Sequence, residues 1–302
     1  MKILVTGANG LLGQKLVRLL LEQENVAVIA TSRGNNANHI DSSSLQFLAM
    51  DIADAEAVQE VIGNEKPDVI INTAAMTHVD QCEQEKEKCH KINVKAVKYL
   101  LEAAKKANAF FVHLSTDFIF SGEYGPLAED ADPDPVNYYG ECKAEAERLV
   151  KQSGLDHAIV RTALVYGITP EMSRSNIVLW VKKSLEEGKT ISVVDDQYRT
   201  PTLAEDLAQG CWLVAQKRAT GDFHISDEKV YTPYEMALLV AEHFQLDKSL
   251  ISKTDSTQFT QPARRPPRTG FIIEKAKKQL GYQPHTFLEG LAIMEAQIKE
   301  ME

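Results

Sequence analysis

Short runs of β-branched and other apolar residues recur along the 302-residue chain, separated by longer stretches whose apolar positions repeat every three or four residues. The runs Lys2–Val5, Val26–Thr31, Leu45–Leu48, Val69–Ile71, Phe110–Leu114 and Ala158–Val160 read as strands. Between them, Leu11–Glu22, Ala55–Ile62, Glu83–Lys106 and Tyr138–Lys151 carry an apolar stripe opposite a charged one, as amphipathic helices do. That alternation predicts βαβ units, hence an α/β fold whose doubly wound parallel sheet is covered on both faces.

Beyond residue 167 the rhythm changes. Ser175–Glu187, Leu203–Gln216, Tyr234–Phe244 and Phe287–Lys299 read as helices, Gly221–Ser226 as one more strand, and Ser252–Thr269 as irregular chain. The expected division is a sheet domain over 1–167, joined by the strand near 221–226 and its adjoining helices, and a smaller, discontinuous C-terminal lobe over 168–302. Proline-rich pieces at Pro126–Pro135 and Pro262–Pro267 mark loops, because proline lacks a backbone donor and forces its predecessor out of helix.

The first strand runs directly into Thr6-Gly7-Ala8-Asn9-Gly10-Leu11-Leu12-Gly13 and then a helix, a GxxGxxG pattern at a strand-to-helix junction. Gly7 permits a tight turn, Gly10 lets a phosphate approach the backbone, and Gly13 lets helix pack on strand. The helix N-terminus offers free N–H groups to a pyrophosphate lying over Asn9, Leu11 and Leu12. A glycine turn without a ligand is the rival for the triplet alone; the position at residue 7 of an alternating chain favours a Rossmann-type dinucleotide site. After the second strand, Thr31-Ser32-Arg33-Gly34 offers no carboxylate for a ribose hydroxyl, whereas Arg33 suits a 2′-phosphate. NADPH is therefore preferred and NADH still admitted, the competing view being that Arg33 is a solvated charge. Asp51-Ile52 is placed to hold the adenine, unless Asp51 only caps the helix beginning near Ala55.

Charge narrows the partners. A net charge of −10 and a pI near 5.4 repel polyanions, so nucleic acid and anionic membrane are not expected partners. Gly7, Asn9 and Gly10 interrupt the apolar N-terminus, and no run of eighteen apolar residues occurs; a cytoplasmic protein is expected. Cys82, Cys89, Cys142 and Cys211 are scattered and read as reduced thiols, and the histidines show no ligand spacing, so no metal is predicted.

Catalytic chemistry has two candidate pieces. Tyr139 and Lys143 form YxxxK at the start of a predicted helix, a spacing that puts both on one face. An ammonium beside the phenol would stabilise phenolate and lower the tyrosine pKa for proton transfer. Upstream, a strand ends in Ser115-Thr116, where ligands of parallel sheets bind, so Thr116 can hold a carbonyl oxygen. Each piece alone also fits a plain helix surface or an ordinary turn.

Together, Gly7/Gly10/Gly13, Asn72-Thr73-Ala74-Ala75, Asn93, Ser115-Thr116-Asp117 and Tyr139/Lys143 resemble the extended short-chain dehydrogenase/reductases. More narrowly, Thr77-His78-Val79-Asp80, Ser115–Phe120, Arg161-Thr162, Val165-Tyr166-Gly167, Asp196-Gln197, Pro201-Thr202 and Ala263-Arg264-Arg265-Pro266 are similar to dTDP-4-dehydrorhamnose reductases, over nearly the whole chain. The resemblance implies reduction of a 4-keto group on a nucleotide-activated sugar by Thr116, Tyr139 and Lys143. It implies that Ala74 and Ala75 line the cofactor, that Asn93 braces the site from its helix, that the C-terminal lobe binds substrate, and that Thr77, Asp117, Leu164 and Arg265 are substrate contacts. The basic loop Arg264–Arg268 would grip a diphosphate, its rival being a solvated loop. A homodimer is the expected assembly. Two departures stand out: Ala163-Leu164 replaces the family's tryptophan, and Arg268-Thr269-Gly270 its asparagine-serine, which predicts lost stacking and polar contacts. An epimerase or dehydratase on the same scaffold is the nearest alternative, with Asp117 as its acid. A non-catalytic regulatory subunit is another.

Overall fold

The computed structural model describes residues 1–37, 40–172 and 174–301. Its first half follows the strand and helix pattern closely: β1 (Lys2–Thr6), α1 (Leu11–Leu21), β2 (Ala27–Ser32), β3 (Leu45–Ala49), α2 (Ala55–Glu65) and β4 (Val69–Asn72). Then come α3 (Val79–Gln84), α4 (Lys86–His90), α5 (Ala96–Ala107), β5 (Phe110–Thr116), α6 (Tyr138–Gln152) and β6 (His157–Thr162). The second half contributes β7 (Val165–Tyr166), α7 (Ile177–Glu186), β8 (Ile191–Val194), β9 (Thr202–Leu203), α8 (Ala204–Lys217), β10 (Gly221–His224), α9 (Pro233–His243), β11 (Ile251–Thr254) and α10 (Phe287–Met301).

Seven strands make one parallel sheet in the order β10-β6-β5-β4-β1-β2-β3. Alternate residues serve opposite faces, as the period of two requires. Ile3 and Val5 of β1 join Leu16, Val17 and Leu20 of α1 and Leu207 and Val214 of α8, while Leu4 faces Val58 and Ile62 of α2 and Val97 and Leu100 of α5. Each such buried leucine or valine is worth about 1.5–3 kcal/mol, and this double cover makes the strand runs apolar throughout. Chain order reverses between β1 and β4, which opens a crevice outside their carboxyl ends.

A separate apolar cluster forms from Tyr166, Val178 and Val181, Met236 and Val240, and Phe287, Leu291 and Met294. It is flanked by the two-stranded pairs β11-β8 and β7-β9. Among the described residues no helix is long and apolar enough to cross a membrane.

Two expectations need correction. The stretch Glu83–Lys106 is not one helix: the backbone breaks at Glu85 (φ −114°, ψ 57°), and a π-helical turn, Lys91–Lys95, precedes α5. Such turns cluster at functional sites, and this one carries Asn93. The stretch Ser252–Thr269 is not wholly irregular, since β11 pairs in parallel with β8 at its start. The strand was hidden because only Ile251 of β11 is buried while Ser252 and Lys253 face water.

Candidate active site

The glycine turn leaves room at the crevice that no side chain could share. Gly7 adopts φ +67°, and a Cβ on it would lie 2.9 Å from the Ala74 backbone at the end of β4. A Cβ on Gly13 would lie 2.3 Å from the Gly7 carbonyl oxygen. Gly10 differs, for its Cβ would meet only that oxygen, at 3.3 Å, and would otherwise enter open space. Gly10 also caps α1 without a side chain, so the first-turn N–H groups at Leu11, Leu12 and Gly13 lack intrahelical partners. A pyrophosphate fits this cradle. Asn9 fixes its outer edge, donating to the Asn35 carbonyl at 2.7 Å and accepting from Ala37 N–H at 3.1 Å.

Arg33 lies exposed just beyond β2. Ile52 is buried, and Asp51 is exposed, its carboxylate accepting from Ala53 N–H at 2.9 Å. The cap of α2 is Asp54, which accepts from Glu56 and Ala57 N–H, so the capping role considered for Asp51 is excluded. Ala74 and Ala75 border the crevice after β4, with Ala74 N–H donating to Thr6 Oγ1 at 3.3 Å. Asn93 is a brace: it accepts from Met76 N–H at 2.8 Å and donates to the Met76 carbonyl at 2.9 Å, which pins the strand-end segment from behind.

Thr116, Tyr139 and Lys143 converge at the carboxyl end of β5 and the start of α6, all buried. Asn137 caps α6 by accepting from Gly140 N–H at 2.9 Å, and a Cβ on Gly140 would meet the Phe118 carbonyl at 2.1 Å, so helix and post-strand turn are in closest contact beside Tyr139. Thr116 donates to Asp117 Oδ1 at 3.0 Å and accepts from Phe118 N–H at 3.2 Å. Burial pushes the Tyr139 phenol well above its usual range, opposed by contact with the Thr116 side chain and reinforced by the Asp117 charge. The expected lowering by Lys143 is not found, because Nζ is directed to the Leu114 carbonyl at 2.5 Å and His113 Nε2 at 3.2 Å. Burial lowers Lys143 to about 8.

Asp117 is the hub of a network invisible in the sequence. Oδ2 accepts from Thr269 Oγ1 at 2.5 Å and lies 3.3 Å from Arg199 Nε, while the rest of that buried guanidinium donates to the carbonyls of Tyr198, Pro266 and Pro267. Thr269 thus restores a polar contact where its replacement of the family residues predicted a loss. No local pattern flags Arg199; its only signal is a lone arginine between the Asp196-Gln197 and Pro201-Thr202 segments. Arg265 is spoken for: its fork grips Asp80 at 2.5 and 2.6 Å. Burial of Asp80 opposes, and the Arg265 hydrogen bond more than offsets, so that carboxyl sits below its usual range. Thr77 is exposed, its carbonyl accepting from Arg174 at 3.1 Å. Leu164 follows β6 with φ +42°, a conformation bulky residues rarely adopt, and packs against the second apolar cluster.

A glycine cradle at the switch point, with a hydroxyl, phenol and lysine at the neighbouring strand end, defines a nicotinamide-dependent oxidoreductase of the extended short-chain dehydrogenase/reductase class. Within that class the chain belongs to the family described as RmlD substrate binding domain, whose pattern matches residues 1–300. It is 32% identical over 291 residues to the spore coat polysaccharide biosynthesis protein SpsK of Bacillus subtilis, covering 96% of this chain and 95% of that one. A dTDP-4-dehydrorhamnose reductase structure from Clostridium acetobutylicum superposes with a TM-score of 0.87 at 30% identity, covering 99% and 100% of the two chains. Another, from Bacillus anthracis in complex with NADP, gives 0.84 at 26% identity over 98% and 99%.

Proposed function

We propose that the protein reduces a keto group on a nucleotide-activated sugar, most like a dTDP-4-dehydrorhamnose reductase, with NADPH preferred to NADH. The observation that carries this is the convergence of Thr116, Tyr139 and Lys143 beside the glycine-lined crevice. When bound, the nicotinamide cofactor supplies hydride to the carbonyl carbon. Tyr139, kept protonated by burial, hands its proton to the carbonyl oxygen as charge develops there. The Thr116 hydroxyl, turning its proton away from Asp117 Oδ1, would orient that oxygen. Lys143, one helical turn on, would compensate the charge left on the phenolate only at longer range, its Nζ being held by the Leu114 carbonyl and His113. Burial of all three strengthens each of these electrostatic effects.

Gly7, Gly10 and Gly13, with Leu11 and Leu12, would hold the pyrophosphate, Asp51 and Ile52 the adenine, and Arg33 a 2′-phosphate. Ala74 and Ala75 would line the nicotinamide side. The sugar nucleotide would lie against Thr77, Asp117 and Leu164, with Arg265 reaching its diphosphate after exchanging Asp80 for it. A panel of 4-keto nucleotide sugars, assayed for loss of NADPH absorbance, tests the reading. Tyr139→Phe should lose about 100-fold or more in turnover with NADPH affinity kept; undiminished turnover rejects it. Conversion of a sugar nucleotide without net NADPH consumption would point instead to an epimerase or dehydratase.

A further inference from the structure

One buried titratable group has no part in the reaction as described. His113 sits on β5 one residue before Leu114, 1% exposed, its ring stacked on Phe111. Its two nitrogens face different polar groups: Nε2 lies 3.2 Å from Lys143 Nζ, and Nδ1 lies 3.2 Å from the Asn72 amide. Asn72 in turn meets Thr6 Oγ1 at 2.6 Å, which accepts from Ala74 N–H in the crevice wall. A continuous polar chain therefore crosses beneath the crevice from α6 through β5 and β4 to β1.

We infer that His113 is the positioning partner of Lys143: its imidazole holds the ammonium at Nε2 and passes the lysine's charge state, as a change of tautomer, to Asn72 under the cofactor crevice. The inference rests on the reductase reading, in which Lys143 supplies the positive charge of the site. A neutral imidazole has one donor and one acceptor. Facing an ammonium, Nε2 accepts and the ring proton sits on Nδ1; facing a neutral amine, Nε2–H donates and Nδ1 accepts. An amide and a hydroxyl at the far end can serve either polarity by turning over. Burial and the neighbouring Lys143 charge keep the ring far below its usual protonation range, so it stays neutral while Lys143 titrates. The groups that bear on Lys143 besides His113 are Glu147 one turn along α6, Cys142 beside it and Cys89 from α4.

The test is a 15N NMR titration of the cofactor-free protein. The His113 ring should change from the Nδ1–H to the Nε2–H tautomer as pH rises, without becoming an imidazolium, at the midpoint of the Lys143 Nζ signal, near 8. His113→Phe keeps the ring volume but removes both nitrogens, so the Lys143 midpoint should fall by about one unit, the charged form losing one of its two acceptors and keeping the Leu114 carbonyl. His113→Gln, which reaches the Nε2 position, should restore it; His113→Asn, which reaches only Asn72, should not. In the reductase assay the pH limb governed by Lys143 should move with the same midpoint. A tautomer that ignores pH, or a Lys143 midpoint unchanged in His113→Phe, overturns the inference. If that variant does not fold, the wild-type titration decides alone. A tautomer change in a protein that reduces none of the 4-keto sugars would leave the brace standing and reject the reductase reading instead.

Discussion

Gly10 and Gly13 sit three residues apart in one turn, yet alanine should act on them through different physics. At Gly13 the added Cβ would lie 2.3 Å from the Gly7 carbonyl oxygen and 2.7 Å from the Ala8 Cα, both backbone atoms of a rigid turn. Relief requires α1 to move by about an ångström, and overpacking of this kind costs about 1–3 kcal/mol, offset in part by about 1 kcal/mol of helix propensity. A net cost of about 1–2 kcal/mol should drop the melting temperature by about 2–8 °C at about 2–4 °C per kcal/mol. At Gly10 the only neighbour is the same oxygen at 3.3 Å, so alanine should cost about 0.5–1 kcal/mol as a poorer cap. The methyl group would instead stand where a phosphate meets the first-turn N–H groups. Losing one charge-assisted hydrogen bond there, about 1.5–3 kcal/mol, means about 10- to 100-fold weaker NADPH binding. Thermal melts with and without NADPH, together with a cofactor fluorescence titration, separate the two. A Gly10→Ala protein that folds and binds NADPH like wild type would refute the cradle; a Gly13→Ala protein with unchanged melting would refute the packing argument.

Glu147→Ala should cost about 3 kcal/mol or more in urea unfolding, since it strips the bidentate partner from Arg161, itself 1% exposed, and leaves Asp222 at 2.9 Å as its carboxylate beside the Glu129 carbonyl at 3.0 Å. His224 is lowered to about 3, first by burial and then by Arg161, so the native state binds its proton less readily than the unfolded chain. Its contribution is present above the ordinary value of 6.5 and is lost as pH falls from there toward 3, at about 1.4 kcal/mol per pH unit; His224→Gln should flatten that part of the urea-midpoint profile. Arg33→Ser should raise the KM for NADPH about 5-fold or more with that for NADH unchanged; equal effects on both would return Arg33 to the solvated surface.

What could be read in advance follows burial and range. Strands such as β4 and β5 are covered on both faces, so their apolar runs stand out; β8 and β11 alternate buried isoleucine with exposed serine and merge into loop. The glycine turn and the Tyr139/Lys143 pair are local patterns whose spacing carries their geometry. Thr269 reaches Asp117 across 152 residues, and nothing near either residue announces the other. His113 was concealed in another way, as one polar position between the apolar neighbours Val112 and Leu114 of a fully buried strand.

That long-range network bears on which reaction the scaffold performs. A dehydratase needs an acid beside the catalytic threonine, and Asp117 occupies the position. Burial raises its pKa, which taken alone would suit an acid; Arg199, Thr269 and Thr116 oppose the rise. Their geometry is the sharper constraint: Thr116 donates to Oδ1, Thr269 donates to Oδ2, and the Arg199 guanidinium lies against Oδ2, so both oxygens are engaged as acceptors. A carboxylate so held has a partner on each oxygen, which an acid acting on a sugar would first have to give up. Asp117 thereby ties the Thr116 side chain to Arg199 and Thr269 from the second half of the chain, an arrangement that favours the proposed carbonyl reduction over elimination of water.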